Sequence, residues 1–156
     1  HPPLPPSLPS PPSPPPSPPS PPRPPPLPPI EVDSALECSA SITIRIRSSG
    51  AGARLDGLGR SRIFALSSGC NLILQGLTLV NGYTDGDGGA IRGSGAGFLK
   101  LADSSIEDCA SGGDGGGIAM SDSGDVELER SSLAGCRADG GGGGIAMTDS
   151  GALLLT

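Results

Sequence analysis

The sequence predicts an all-β protein: a right-handed parallel β-helix of about four 27-residue coils, preceded by an extended polyproline II rod. Three observations carry this. The stretch "GGGIAMSDSG" at 115–124 returns as "GGGIAMTDSG" at 142–151, 27 residues later. Apolar residues elsewhere recur in columns at that same period. All 19 prolines lie within the first 29 residues, and nearly all the glycine follows Gly50.

Residues 1–29 read "HPPLPPSLPSPPSPPPSPPSPPRPPPLPP". Proline locks φ near the polyproline II value, removes its own N–H, and pushes the preceding residue out of the α region. Consecutive prolines therefore favour a left-handed extended rod, about 90 Å long for this tract at ~3.1 Å per residue. Three roles suit it: a stiff linker, a ligand for aromatic-lined grooves, or a modified spacer. Arg23 is its one basic residue, whereas tracts read by such grooves are usually flanked by several.

Residues 30–62 are expected to form a linker and an irregular first coil or cap. "SITIRIR" (41–47) reads as a strand with Ile42, Ile44 and Ile46 on one face. Ile44 and Ile46 stand 28 residues, not 27, before Leu72 and Leu74. This implies a one-residue insertion in the Gly/Arg-rich loop at 48–62. The strand would start or cap the solenoid, whose ends need protection.

Residues 63–156 carry the repeat without gaps. Phe64, Ile91, Ile118 and Ile145 form one column, and Leu72, Leu99, Val126 and Leu153 another. Leu74, Leu101, Leu128 and Leu155 form a third, and Leu79, Ile106 and Leu133 a fourth. A fixed period of this length marks a repeat architecture. "LKL", "VEL" and "LLL" alternate at period two, which means strand, and Gly, Asp and Ser fill the intervals as turn residues. Strands stacked at one period pair in parallel, each coil rising by ~4.8 Å. The expected coil is three-sided, with strands near 98–102, 105–108 and 117–120 and a Gly-rich loop "ASGGDG" at 110–115. Parallel crossovers are right-handed as a rule. The chain stops in mid-pattern at "GALLLT", so its C-terminus is read as a truncation. No charged and apolar leader precedes the proline tract, and it reads as a mature segment or a fragment.

Composition narrows the function classes. The formal net charge is -6, and Phe64, Tyr83 and Phe98 are the only aromatics. This argues against nucleic acid. No apolar run approaches the ~20 residues of a membrane span. Glycosidase chemistry needs paired carboxylates, one with a raised pKa. Column-mates do bring acids together, Asp122 with Asp149 and Asp87 with Asp114. They lie in Gly/Ser-rich turns, which favour Asp for local hydrogen bonds. With no histidine in the repeat and no aromatic platform, the chain is read as no enzyme and as needing no cofactor. The aspartate columns leave room for weak Ca²⁺ binding. Cys109 and Cys136 share a column, which places their Cα atoms within the ~4.4–6.8 Å range of a disulfide. The alternative is a ladder of stacked reduced thiols.

Two resemblances add to this. Ser7, Ser10, Ser13, Ser17 and Ser20 punctuate the prolines as in the Ser-(Pro)n modules of plant and green-algal hydroxyproline-rich cell-wall glycoproteins, the extensins and pherophorins. The resemblance implies secretion, proline hydroxylation and O-glycosylation. The implied acceptors are Pro11, Pro12, Ser13, Pro14, Pro15, Pro16, Ser17, Pro18, Pro19, Ser20, Pro21 and Pro22. Leu4, Leu8 and Leu27 break the pattern around them. "GGAI" at 88–91 and "GGGI" at 115–118 and 142–145 resemble the GGA[ILV] repeats of polymorphic outer-membrane-type proteins and related extracellular right-handed β-helices. That family's Phe-x-x-Asn motif is replaced here by "LVNG", "IEDC" and "LAGC". Secretion implies an oxidising compartment and the pairs Cys38–Cys70 and Cys109–Cys136.

The function expected from the sequence is a structural extracellular matrix or cell-wall glycoprotein that self-associates into filaments. Five arginines and one acid between Arg45 and Arg62, against four basic residues and twelve acids from Tyr83 onward, suggest complementary ends. Alternatives are a module binding a cell-wall polysaccharide or glycoprotein, or a β-helix carbohydrate-active enzyme.

Overall fold

A computed structural model of the protein describes residues 1–7, 9–22, 25–50 and 52–156. Leu8, read above as a break in the proline pattern, and Arg23, read as its basic residue, lie outside the described residues. Among the described residues there is no helix, and the strands form four parallel sheets. One coil runs Leu99–Ala102, Ser105–Glu107, Ala110–Ser111 and Ile118–Ser121. The next repeats it at Val126–Glu129, Ser132–Ala134, Arg137–Ala138 and Ile145–Thr148. The first, second and fourth sheets each stack five strands, so the solenoid makes about five turns.

The 27-residue columns become the register. Leu72, Leu99, Val126 and Leu153 pair in succession on the first sheet. Phe64, Ile91, Ile118 and Ile145 do the same on the fourth. Alternation along each strand turns Leu99 and Leu101 inward and Lys100 outward, because successive side chains on a strand point to opposite faces. Leu72, Leu74, Leu79, Ile91, Leu99, Leu101, Ile106, Ile118 and Val126 are all at most 1% exposed. Each such burial contributes about 1.5–3 kcal/mol. Phe64 is the one buried aromatic; Tyr83 and Phe98 face solvent. The core is therefore made of stacked aliphatics. It is adjusted locally by Met120, whose sulfur fills the space that Gly93 leaves one coil below.

The coil has four sides rather than the expected three. Tyr83–Thr84, Ala110–Ser111 and Arg137–Ala138 form an additional short sheet, so "ASGGDG" begins as a strand. Two residues are too few to show period-two alternation, which is why the sequence reads as loop there. Each of the four corners turns on one residue in the left-handed region. The corner columns are Ser68, Gly95, Asp122 and Asp149; Gly76, Asp103 and Arg130; Asn81, Asp108 and Gly135; and Gly88, Gly115 and Gly142. Their φ angles lie between 46° and 71°, where Gly, Asn and Asp pay the smallest penalty.

The first coil resolves the 28-residue offset. Thr43–Arg47 pairs with Asn71–Gln75 at an offset of 28, as Ile44 opposite Leu72 shows. Ala53–Asp56 then pairs with Leu77–Val80 at an offset of 24, and Phe64–Ser67 pairs with Ile91–Ser94 at 27. The first coil thus gains four residues after Arg47 and loses three after Asp56, a net gain of one. The loss removes its strand of the short sheet. The coil also starts earlier than "SITIRIR": Ile30–Glu31 and Leu36–Cys38 already pair with Leu55–Asp56 and Phe64–Leu66.

Candidate functional surfaces

Polar side chains at the corners form ladders between coils. Ser104 donates to the Ala102 carbonyl (2.7 Å) and accepts the Leu77 N–H (3.2 Å) from the coil below. Ser131 donates to Glu129 and accepts the Ser104 N–H. Ser123 and Ser150 repeat the device with Ser121 and Thr148 as carbonyl partners and with the N–H groups of Ala96 and Ser123. Each hydroxyl closes its own turn and clamps the previous one. The signal was present in the sequence as serine pairs 27 apart, Ser104 with Ser131 and Ser123 with Ser150. Ser104→Ala leaves a buried N–H without its partner and is expected to cost about 1–3 kcal/mol, read as a lowered urea midpoint at unchanged m-value.

The cysteines divide between two uses. Cys38 and Cys70 are joined, with Cα atoms 6.1 Å apart. Their separation of 32 residues sets them diagonally across the corner between the fourth and first sheets, stapling the first coil to the second. The expected second bond is not made: Cys109 and Cys136 are free thiols. They take the corner role of serine. Cys109 Sγ donates to the Glu107 carbonyl and accepts the Gly82 N–H, both at 3.3 Å. Sharing a column holds their Cβ atoms parallel at about the ~4.8 Å strand spacing, whereas a disulfide needs Cβ atoms about 3.8 Å apart.

The two thiols differ in acidity. Contact with the Cys109 thiol lowers Cys136 to about 7, while the same contact and burial push Cys109 up. The thiolate is the reactive form, so alkylation of half-exposed Cys136 should rise through pH 7. Buried Cys109 should stay unmodified until unfolding. Peptide mass spectrometry after iodoacetamide at pH 5.5–8.5 reads both.

The aspartate columns are likewise structural in placement. Asp122 and Asp149 occupy left-handed corners. Asp87 Oδ1 accepts the Asp114 N–H at 3.0 Å, and Asp114 Oδ1 accepts the Gly141 N–H. Asp125 Oδ1 accepts the Ala152 N–H at 2.7 Å. Among the described residues no three His, Cys, Asp or Glu side chains converge as a metal site, and no helix is long and apolar enough to cross a membrane. Outward charges pair along the first sheet. Lys100 bridges Glu127 (2.9 Å) and Glu129 (3.0 Å), and Arg130 grips both oxygens of Asp103. The Arg130 hydrogen bond holds Asp103 below the usual carboxylate range, and Lys100 followed by Arg130 does so for Glu129.

At one end of the solenoid Arg45 and Arg47 lie exposed on the outermost strand of that sheet, with exposed Ile30, Leu36 and Ile42 nearby in the first coil. At the other end Leu153, Leu154 and Leu155 are exposed, and Asp139 and Asp149 lie on the last coils. The proposed acceptors from Pro11 to Pro22 are all exposed and belong to no strand. No protein-family model, curated protein or solved structure matches the chain.

Proposed function

We propose that the protein is a structural, non-enzymatic extracellular glycoprotein of a matrix or cell wall, a fibril-forming subunit. Its serine-punctuated proline tract is an O-glycosylated spacer, and its β-solenoid is a rigid assembly module. The observation that carries this reading is the exposure of every residue from Pro11 to Pro22 in a tract spelled like hydroxyproline-rich modules. A modifying enzyme needs an accessible backbone that is not held in a sheet, and this segment offers one. The solenoid supports the reading from the other side, because its corner serines and thiols, with Asp87, Asp114 and Asp125, are engaged in holding coil to coil.

Self-association is the second half of the reading. Exposed apolar residues at both ends and exposed arginines at one suit a head-to-tail contact, which propagates when it does not close. Charge complementarity would fix its polarity.

Glycan mapping tests the proposal. Native protein is expected to yield hydroxyproline-linked pentoses on residues 11–22 and galactose on the interleaved serines. Unmodified proline throughout that segment in native material refutes it.

A further inference from the structure

We propose that the outward face of the fourth sheet binds an acidic polysaccharide, with Arg62 and Arg92 as its charged contacts. This goes beyond the structural role above and does not depend on modification of residues 11–22.

The outward positions of four successive strands of this sheet form two columns. One is Ala65, Arg92, Ala119 and Ala146; the other is Ser67, Ser94, Ser121 and Thr148. Seven of these eight side chains are small, so the face is a shallow trough along the solenoid axis with a line of hydroxyls beside an alanine floor. Arg92 is the exception. It is exposed and makes no hydrogen bond or ion pair among the described residues. Arg62 rises beside it from the preceding corner. Its guanidinium is held by the carbonyls of Gly88 (2.9 Å) and Asp87 (2.6 Å) and by the Thr84 hydroxyl (3.2 Å). Burial first, and then repulsion from Arg92, lower the Arg62 pKa. The two cations share one depression of about 200 Å³, whose lining includes Ala65, Ser67, Ser94 and Glu37, the last paired with Ala65 on the adjoining strand.

Neighbouring acids place the ligand within the trough. Glu37 stands at one end, and Asp87 and Asp114 flank the coils beyond Arg92. An anionic group is favoured between the two guanidinia, away from Glu37. A guanidinium fork matches a carboxylate in two parallel hydrogen bonds. The hydroxyl column continues past that point at ~4.8 Å per coil, close to the length of one pyranose unit, so a chain carrying carboxylates and hydroxyls fits better than a compact anion. The trough offers no aromatic side chain for base stacking.

The test uses the full chain and polygalacturonate, with its fully methyl-esterified form as the neutral control, in calorimetry at low salt. The acid form should bind, more tightly than the galacturonate monomer, and the ester should not. Arg92→Ala should weaken binding by about tenfold or more, the loss of one charge-assisted contact. Arg92 is exposed and unpartnered, so the variant keeps its fold. Arg45→Ala, which removes an equal charge from another sheet, should bind like the parent. The proposal is overturned if the parent binds no polygalacturonate or binds ester and monomer equally well. It is overturned too if Arg92→Ala binds like the parent, or if Arg45→Ala loses as much.

Discussion

Gly115→Ala is expected to destabilise the solenoid by about 3–5 kcal/mol, among the largest effects available to a one-methyl change. Two costs combine. Gly115 sits at φ 65°, where any L-residue with a Cβ loses about 1–2 kcal/mol. A Cβ there would also lie 2.2 Å from the Ile118 carbonyl oxygen, so the turn must open to admit it. Gly95→Ala separates the two. Gly95 has nearly the same φ, 62°, yet a Cβ on it meets nothing within 4 Å. Its column-mates Ser68, Asp122 and Asp149 already carry side chains in that conformation. Gly95→Ala should therefore cost only the conformational share, about 1–2 kcal/mol. Denaturant midpoints of the two variants check this. Equal losses would mean that backbone strain alone sets the cost at the "GGGI" corner.

Leu101→Ala should cost about 3–4 kcal/mol, within the range for truncating a leucine in a core that cannot collapse. Leu101 is fully buried, between Leu74 and Leu128 in its column. Those neighbours are fixed by the ladder hydrogen bonds of their own strands, so the cavity stays open. Leu155→Ala deletes the same atoms from the same column where the residue is 68% exposed, and its cost should be below about 1 kcal/mol because little apolar area returns to water. Thermal or urea unfolding of both variants measures the contrast. Similar losses would show that the last coil is more covered in solution than its exposure here.

The sequence was most informative where one residue type recurred at the period. Ile91, Ile118 and Ile145 announced the fourth sheet because a parallel stack repeats its inward residues at the coil length. The same arithmetic placed Leu99–Ala102, Ser105–Glu107 and Ile118–Ser121 to within a residue or two. The net one-residue insertion was also visible, but its composition was not. A gain of four and a loss of three leave the same offset as a single insertion, and only the pairing of Ala53–Asp56 with Leu77–Val80 separates them.

The candidate surfaces were less legible. Local spelling marked the proline tract. By contrast, the trough residues Arg62 and Arg92 are 30 positions apart and break the column rather than follow it, so periodicity offered no signal for their pairing. The cysteines show the limit most clearly. A shared column correctly implied that Cys109 and Cys136 stack, yet stacking is the arrangement that keeps their Cβ atoms parallel. Cys38 and Cys70 share no column, and that diagonal offset lets them meet. By itself the sequence determined the period, the three main strands of the regular coils and their inward faces, because these depend on residue type at fixed spacing. The tertiary structure alone decided the fourth side, the hydrogen-bonded corners and which thiols face each other, because these depend on the direction of side chains at the turns.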